Sequence, residues 1–78
     1  MSVLEVTAQV DARGLSCPMP IVRTAQAVRP LAAGSIVEVL ATDPGSQRDF
    51  AAWCRATGHE LLEQTTEGTV HRFLIRRK

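Results

Sequence analysis

Turn-forming residues divide this chain into six short segments, and the spacing of apolar residues within each segment predicts which element it forms. The clearest is Leu4–Val10, where apolar and polar residues alternate as in a strand with one solvated face. A loop over Arg13–Ser16 follows. Pro18–Val28 then carries apolar residues at helical spacing, and Pro30 with Gly34 marks the end of that helix.

The middle of the chain repeats this order of strand and helix. Ser35–Ala41 is rich in β-branched residues, which predicts a second and more buried strand. After a turn at Asp43-Pro44-Gly45, Ser46 and Asp49 have the spacing of a capping box, so we expect a second helix to begin there. We expect this helix to end before Gly58. The residues on its buried face are predicted to be Phe50, Trp53, Cys54 and Thr57.

The last part of the chain predicts an antiparallel hairpin, because His59–Thr66 and Thr69–Arg76 flank the turn residues Glu67-Gly68. The element order is therefore β-α-β-α-β-β. A strand-helix-strand unit favours a parallel pair, and two helices can cover only one face of a four-stranded sheet. We predict a single domain over residues 1–78 with an α/β (α+β) two-layer sandwich fold, in which a four-stranded mixed sheet carries two helices on one face. The pattern leaves the strand order and the facing of the last two strands open, and the solvated face of the first strand is expected to carry Glu5, Thr7 and Gln9.

Composition and charge exclude several classes of protein. The nine Lys and Arg residues nearly balance the eight Asp and Glu residues, so with a net charge of +1 we expect no direct nucleic-acid binding. No apolar stretch reaches the length of about 18 residues that a membrane span needs, and Glu5 and Asp11 interrupt any signal-peptide core. We therefore expect a cytoplasmic protein. Its two cysteines, Cys17 and Cys54, are too few for a disulfide scaffold, so thiol chemistry is the first function to consider.

The motif Cys17-Pro18-Met19-Pro20 is the sharpest chemical signal in the sequence. With Pro18 as the first helical residue, Cys17 becomes the N-cap, and only the Met19 N–H is left to meet the sulfur because proline has no N–H. The helix dipole favours a thiolate, so we expect the pKa of Cys17 to lie below that of an ordinary thiol and to suit the uptake and release of sulfur. The alternative is that Cys17 is a small buried residue at the end of a loop. Two prolines in one turn, preceded by Gly14, favour the reactive thiol.

The remaining chemical candidates have structural interpretations. Cys54 shares a helical face with aromatic residues, so we expect it to pack in the core and not to form a disulfide with Cys17. His59 follows Gly58 at a helix end, where a histidine can sit against the dipole, and His71 is a strand residue of undetermined facing. No Cys-x-x-Cys or His-x-x-x-His pair is present, so we expect no metal site.

Basic residues lie in two places. Arg13 and Arg23 flank the thiol in sequence and are candidates for adding to its field or for docking a partner. A second group lies at the C-terminal end, where we expect a solvated terminus rather than a docking surface, and it consists of Arg72, Arg76, Arg77 and Lys78.

Taken together, these residues resemble the TusA family of SirA-like sulfur carriers, whose hallmark is a Cys-Pro-x-Pro motif that opens the first helix of a small β-α-β-α-β-β fold. The resemblance runs through nearly the whole chain. Ser16 and Met19 depart from it, because the best-known tRNA-thiolation members have Arg and Glu there, and this leaves the partners open. The residues that stand at the family spacing are Asp11, Gly14-Leu15, Cys17-Pro18-x-Pro20, Asp43-Pro44, Arg48-Asp49, Cys54, His59-Glu60-Leu61 and Leu74-Ile75-Arg76.

The resemblance implies that Cys17 accepts sulfane sulfur as a persulfide, on a turn supported by Gly14, Leu15, Pro18 and Pro20. The implied donor is a cysteine desulfurase or a rhodanese-like protein, and the sulfur passes to a downstream acceptor protein in tRNA thiolation, sulfur oxidation or molybdenum-cofactor biosynthesis. Such a carrier is a relay rather than a stand-alone turnover enzyme, and it needs no cofactor. The alternative function is a small regulatory or RNA-associated binding module in which Cys17 is not chemically active.

Overall fold

The computed structural model describes residues 5–78, so Leu4 of the first predicted strand lies outside the described residues. The elements follow the predicted order, and their bounds are β1 (Val6–Ala12), α1 (Met19–Val28), β2 (Ile36–Ala41), α2 (Ser46–Thr57), β3 (Glu60–Glu67) and β4 (Val70–Arg76).

The four strands form one mixed sheet in the order β1-β2-β4-β3. β1 and β2 are parallel, with Val10 opposite Val39, whereas β4 is antiparallel to both of its neighbours. The helix between β1 and β2 gives the chain the crossover that parallel pairing needs, while the turn after β3 allows direct antiparallel pairing with β4. The predicted fold class is confirmed, and the strand order that the sequence left open is now defined.

The core lies between the sheet and the two helices. Phe50 of α2 stacks on Phe73 of β4 at a ring-centroid distance of 4.6 Å, and Phe50 and Trp53 form a T-shaped pair with centroids 6.2 Å apart. Aromatic pairs of this kind add to the free energy gained by burying apolar area. The buried residues of this core are Val10, Ala12, Val28, Val37, Val39, Ala41, Phe50, Cys54, Phe73 and Ile75.

The opposite face of the sheet is covered by a chain of polar contacts. Glu38 of β2 accepts hydrogen bonds from Gln9 of β1 at 2.8 Å and from Arg72 of β4 at 2.5 Å, and Arg72 also reaches Glu63 of β3 at 3.5 Å. Leu74 is paired with both Glu38 and Glu63 in the sheet register and is only 3% exposed. β4 is therefore apolar on both faces in its second half, which explains why its sequence does not alternate.

The start of α2 differs from the predicted capping box. The helix begins at Ser46, whose hydroxyl is buried and has no hydrogen-bond partner, and its N-cap is Gly45. In the turn before the helix, the carboxylate of Asp43 accepts the N–H of the N-cap residue Gly45 at 3.0 Å. At the other end, Gly58 closes the helix in the left-handed conformation with φ of 86°, as its position predicted. Within residues 5–78, neither helix is long and apolar enough to cross a membrane.

Candidate site at the first turn of helix α1

The candidate site lies where the parallel strands β1 and β2 end. Because the carboxyl ends of parallel strands meet at one edge of a sheet, the loop after β1 and the loop after β2 lie side by side. The Gly14 N–H donates to the Thr42 hydroxyl at 2.9 Å and joins the two loops. Gly14 has a φ of 80°, a conformation that side chains disfavour, so a glycine is needed at this turn.

The turn that carries Cys17 is built from short backbone contacts. α1 begins at Met19 with Pro18 as its N-cap, and the Met19 N–H donates to the Ser16 carbonyl at 2.8 Å. The prediction that Cys17 is the N-cap and that the Met19 N–H meets the sulfur is therefore wrong. A nearby carbonyl oxygen is a stronger acceptor than sulfur, and it takes the N–H instead. The buried Pro20 anchors the first helical turn beneath this contact.

The Cys17 thiol is free and exposed. The alternative that Cys17 is a small buried residue is therefore wrong. Two apolar side chains on α1 are exposed beside it, Met19 at 39% and Val22 at 37%. Leu15 is half-buried and packs against the core, so it anchors the turn while the Cys17 side chain is exposed to solvent.

Two carboxylates, one in the loop after β2 and one in α2, act electrostatically on this thiol. Asp43 comes from the turn after β2, and Asp49 comes from the first turn of α2. A Cβ atom placed on Gly45 would lie 3.2 Å from Asp43 Oδ2, 3.4 Å from Asp49 Oδ2 and 3.9 Å from Arg48 Nη2. These three charged groups therefore converge on one small region, and Gly45 leaves the room for them.

The carboxylates affect the pKa of the Cys17 thiol. The Asp49 carboxylate is the largest cause that raises the pKa of the Cys17 thiol above its ordinary value. Partial loss of solvent and the negative charges of Asp49 and Asp43 act in the same direction, while the Arg48 guanidinium opposes them. The prediction of a lowered pKa is wrong, because the helix-dipole argument considered only α1 and the opposing charges come from α2 and the loop before it.

The two arginines expected near the thiol have different environments. Arg13 is bound to Asp11 by two side-chain contacts, Nε to Oδ1 at 2.8 Å and Nη2 to Oδ2 at 3.0 Å. This pairing lowers the pKa of the Asp11 carboxyl to about 2, and it means that the Arg13 guanidinium is already paired with a carboxylate. Arg23 is exposed on α1, one turn beyond Met19. Arg23 is thus the arginine whose charge is directed to solvent.

The structure keeps the other chemical candidates apart from Cys17. Cys54 lies in the core, where burial raises the pKa of its thiol to about 11. His59 directly precedes β3, whose first residue pairs with Arg76, so it lies at the opposite end of the sheet from Cys17. Its Nδ1 accepts a hydrogen bond from the Lys78 N–H at 2.9 Å. Its ring packs against the Trp53 ring at a centroid distance of 5.0 Å.

His71, whose facing the sequence left open, lies on β4 opposite Ala41 of β2. Its Nδ1 is 2.9 Å from the Thr66 hydroxyl, which also accepts a hydrogen bond from Gln47. Across residues 5–78, no three His, Cys, Asp or Glu side chains come together in the arrangement that a metal ion would need.

Sequence reasoning missed that Asp43 and Asp49 face the thiol. Both residues stood out as part of the family pattern, but their distance from Cys17 along the chain gave no reason to place them beside it. A signal was available. Asp43-Pro44-Gly45 follows a strand predicted to be parallel to the first, and loops at the same ends of parallel strands are neighbours.

Comparison with known proteins gives a consistent result. The family model described as Sulfurtransferase TusA matches residues 8–77. YrkI of Bacillus subtilis is 53% identical over 68 residues, which cover 87% of this chain and 91% of that relative. The sulfur carrier protein TusA of Allochromatium vinosum is 44% identical over 69 residues, which cover 88% of this chain and 91% of the relative.

A solved structure shares the architecture. The crystal structure of a SirA-like protein from Desulfitobacterium hafniense aligns with a TM-score of 0.79 and 26% sequence identity. The alignment covers 90% of this chain and 96% of that protein, so the whole sandwich is shared and not one part of it.

Proposed function

The chain belongs to the TusA family, and from this premise we propose that it is a sulfur carrier protein that accepts sulfane sulfur as a persulfide on Cys17 and relays it to a partner. One observation carries the assignment to Cys17. This thiol is exposed on a turn stiffened by Pro18 and Pro20, whereas the second cysteine, Cys54, is buried in the core. A sulfur atom that another protein must reach has to be exposed on a rigid turn, as Cys17 is, and not buried in the core, as Cys54 is.

The loading step is an exchange at sulfur. The Cys17 thiol loses its proton, and the thiolate attacks the outer sulfur of a persulfide on the donor protein. A bond forms between Cys17 Sγ and that sulfur, the sulfur–sulfur bond of the donor breaks, and the donor cysteine leaves as a thiolate. Delivery repeats the exchange with an acceptor thiol as the nucleophile. One sulfane sulfur moves in each step and no external oxidant or reductant is consumed.

We propose that the protein acts only together with partners. Releasing sulfur from cysteine normally requires pyridoxal phosphate on a Schiff-base lysine, and the only lysine is Lys78, whose backbone N–H binds His59. A cysteine desulfurase or rhodanese-like protein would supply the sulfur, and a second protein would accept it. The pathways that such a relay would serve are tRNA thiolation, sulfur oxidation or cofactor biosynthesis. We propose that this relay operates in the cytoplasm. We also propose that the chain forms a single domain.

The docking surface that this function requires would centre on the thiol. Loop Arg13–Ser16 and the first turn of α1 surround Cys17, and the exposed Met19 and Val22 extend this surface along the helix. Arg23 lies at its edge and Arg13 at its base. We propose that both arginines contribute to encounter with the partner, because charges at the rim of an interface act mainly on association rates.

A loading experiment tests the function. The protein is incubated with thiosulfate and a rhodanese, or with cysteine and a desulfurase, and its intact mass is measured. We expect a gain of one sulfur atom that a reductant such as dithiothreitol removes. Without a donor protein, no multiple-turnover release of sulfide from cysteine is expected. Such turnover by the isolated protein, or the absence of a mass gain with every donor, would contradict the proposal.

A further inference from the structure

We propose that a groove on the helix-free face of the sheet, the face that the helices do not cover, is a docking site for an arginine side chain presented by a partner protein. This inference goes beyond the proposed function, because it involves neither Cys17 nor sulfur transfer. The groove has a volume of about 280 Å³, and the residues that line it are Leu40, Thr65, Glu67, Val70 and Arg72.

The sheet register places these residues side by side. Arg72 of β4 is paired with Leu40 of β2 and with Thr65 of β3, and Val70 is paired with Glu67 two residues further along each strand. The residues on either side of Leu40 in the chain belong to the core. Because side chains alternate between the two faces of a strand, Leu40 and its paired neighbours project away from both helices.

The apolar walls of the groove suit the stem of a long side chain. Leu40 and Val70 are half-buried, so each keeps part of its apolar surface open. Pockets for drug-sized ligands have volumes of about 300–1,000 Å³, so a groove of about 280 Å³ suits one side chain better than a whole cofactor. The methylene groups of an arginine gain free energy by packing on such walls while the charged head stays at the polar end.

The charges around the groove favour a cation. Arg72 is shared by two carboxylates, with its Nε 2.5 Å from Glu38 Oε2 and its Nη1 3.5 Å from Glu63 Oε1. One positive charge therefore meets two negative charges. Glu67 adds a third carboxylate, and within residues 5–78 it forms no salt bridge.

The neighbouring strand β1 does not cancel this negative charge. Asp11 of β1 is paired with Leu40, and its carboxylate is bound to Arg13 by two contacts of 2.8 and 3.0 Å. This pair contributes no net charge to the groove. The groove therefore attracts a cation, and Glu67 is the carboxylate that a partner's cation can pair with.

The polar atoms of the groove fit a guanidinium better than an ammonium group. Thr65 and Glu67 are two residues apart on β3, so their side chains project from the same face. A guanidinium has five N–H donors in a planar fork and can donate to a carboxylate and a hydroxyl together, whereas an ammonium group is a point charge. Thr65 and Glu67 are available for this, because within residues 5–78 the β3 side chains that form hydrogen bonds are those of Glu60, Glu63 and Thr66.

The groove is separate from the docking surface proposed around Cys17. That surface includes the exposed Met19 and Val22 of α1, which lies on the other face of the sheet. An arginine bound in the groove therefore leaves the surface of α1 uncovered. We expect binding in the groove to be insensitive to modification of Cys17.

A titration followed by amide NMR spectra tests the site. Isotopically labelled protein is titrated with N-acetyl-arginine amide and with N-acetyl-citrulline amide, in which a neutral urea group of nearly the same shape replaces the guanidinium. We expect saturable shifts of the Leu40, Thr65 and Val70 amides, and a dissociation constant about two- to fivefold lower for the arginine probe, the size expected for one exposed charge pair. Equal dissociation constants, or no shifts at these three amides, would overturn the proposal.

Two variants and one modified protein complete the test. Glu67→Gln keeps the size of the side chain but removes its charge, so we expect it to abolish the preference for the arginine probe. Glu5→Gln is the charge-matched control, because Glu5 is exposed just before β1 at the opposite end of the sheet. Protein alkylated at Cys17 with iodoacetamide should bind both probes as the unmodified protein does, whether or not Cys17 carries sulfur. A full preference in Glu67→Gln, or its loss in Glu5→Gln or in the alkylated protein, would contradict the assignment of the groove.

Discussion

The Gly14 N–H and the Thr42 hydroxyl are joined by a 2.9 Å hydrogen bond that links the loop of Cys17 to the loop of Asp43. The bond crosses between the ends of two parallel strands that are far apart in sequence. It therefore holds the loop of Cys17 beside the loop of Asp43, whose negative charge helps to raise the pKa of the thiol.

Thr42→Val should weaken this coupling while keeping the shape of the side chain. We expect the free energy of unfolding to fall by about 1 kcal/mol, the usual contribution of one hydrogen bond, and iodoacetamide alkylation of Cys17 to change its pH profile. Urea denaturation and alkylation kinetics measure the two effects. Thr65→Val, at an exposed position on the edge strand β3, is the matched control. A Thr42 variant with wild-type stability and an unchanged pH profile would show that this bond does not position the loops.

The environment of His59 predicts a pH dependence of stability. Burial is the largest cause that lowers the pKa of His59 below its unfolded value, and the charges of Arg77 and Lys78 act in the same direction. The folded state therefore binds fewer protons at this site than the unfolded state. The resulting stability is present above the unfolded pKa of about 6.5 and is lost as the pH falls through the lower folded pKa.

His59→Gln should reduce this loss, because Gln can still accept the Lys78 N–H but does not titrate. The measurement is the free energy of unfolding between pH 7.5 and about pH 5, compared with His71→Gln as the second histidine variant. If His59→Gln lost as much stability as wild type over this range, His59 would not be the group responsible.

Arg23→Glu should slow sulfur loading by a donor protein without changing the melting temperature. Arg23 is exposed on α1 next to the proposed docking surface, so its charge acts on encounter. The difference from wild type should shrink as the salt concentration approaches 1 M, where the Debye length is only about 3 Å. Arg29→Glu, at the far end of the same helix, is the control. Equal loading rates for the Arg23 and wild-type proteins at low salt would remove Arg23 from the docking surface.

The order and type of the elements could be predicted from local patterns, because alternation in β1 and helical spacing in α1 and α2 are properties of neighbouring residues. The strand order could not. Phe73, Leu74 and Ile75 are all buried, so β4 shows no alternation to reveal that it is an inner strand covered on both faces.

The candidate site divides in the same way. The Cys17 turn could be identified from its own sequence. The predicted helix start at Pro18 was one residue too early, because a proline fits either the N-cap or the first helical position. The acidity of the thiol could not be obtained locally. Asp49, which raises the pKa of Cys17, is more than 30 residues away along the chain, and the parallel pairing of β1 and β2 brings the two parts of the chain to the same end of the sheet.

The most direct test of the central claim is the location of the transferred sulfur. Cys17→Ser and Cys54→Ser are incubated with the same sulfane donor, and their intact masses are compared before and after reduction. We expect Cys54→Ser to gain the mass of one sulfur atom and lose it on reduction, although a hydroxyl in the core should lower its stability by about 1–3 kcal/mol. Cys17→Ser should remain folded and gain nothing. A reducible sulfur on folded Cys17→Ser, or none on folded Cys54→Ser, would contradict the assignment of Cys17 as the carrier.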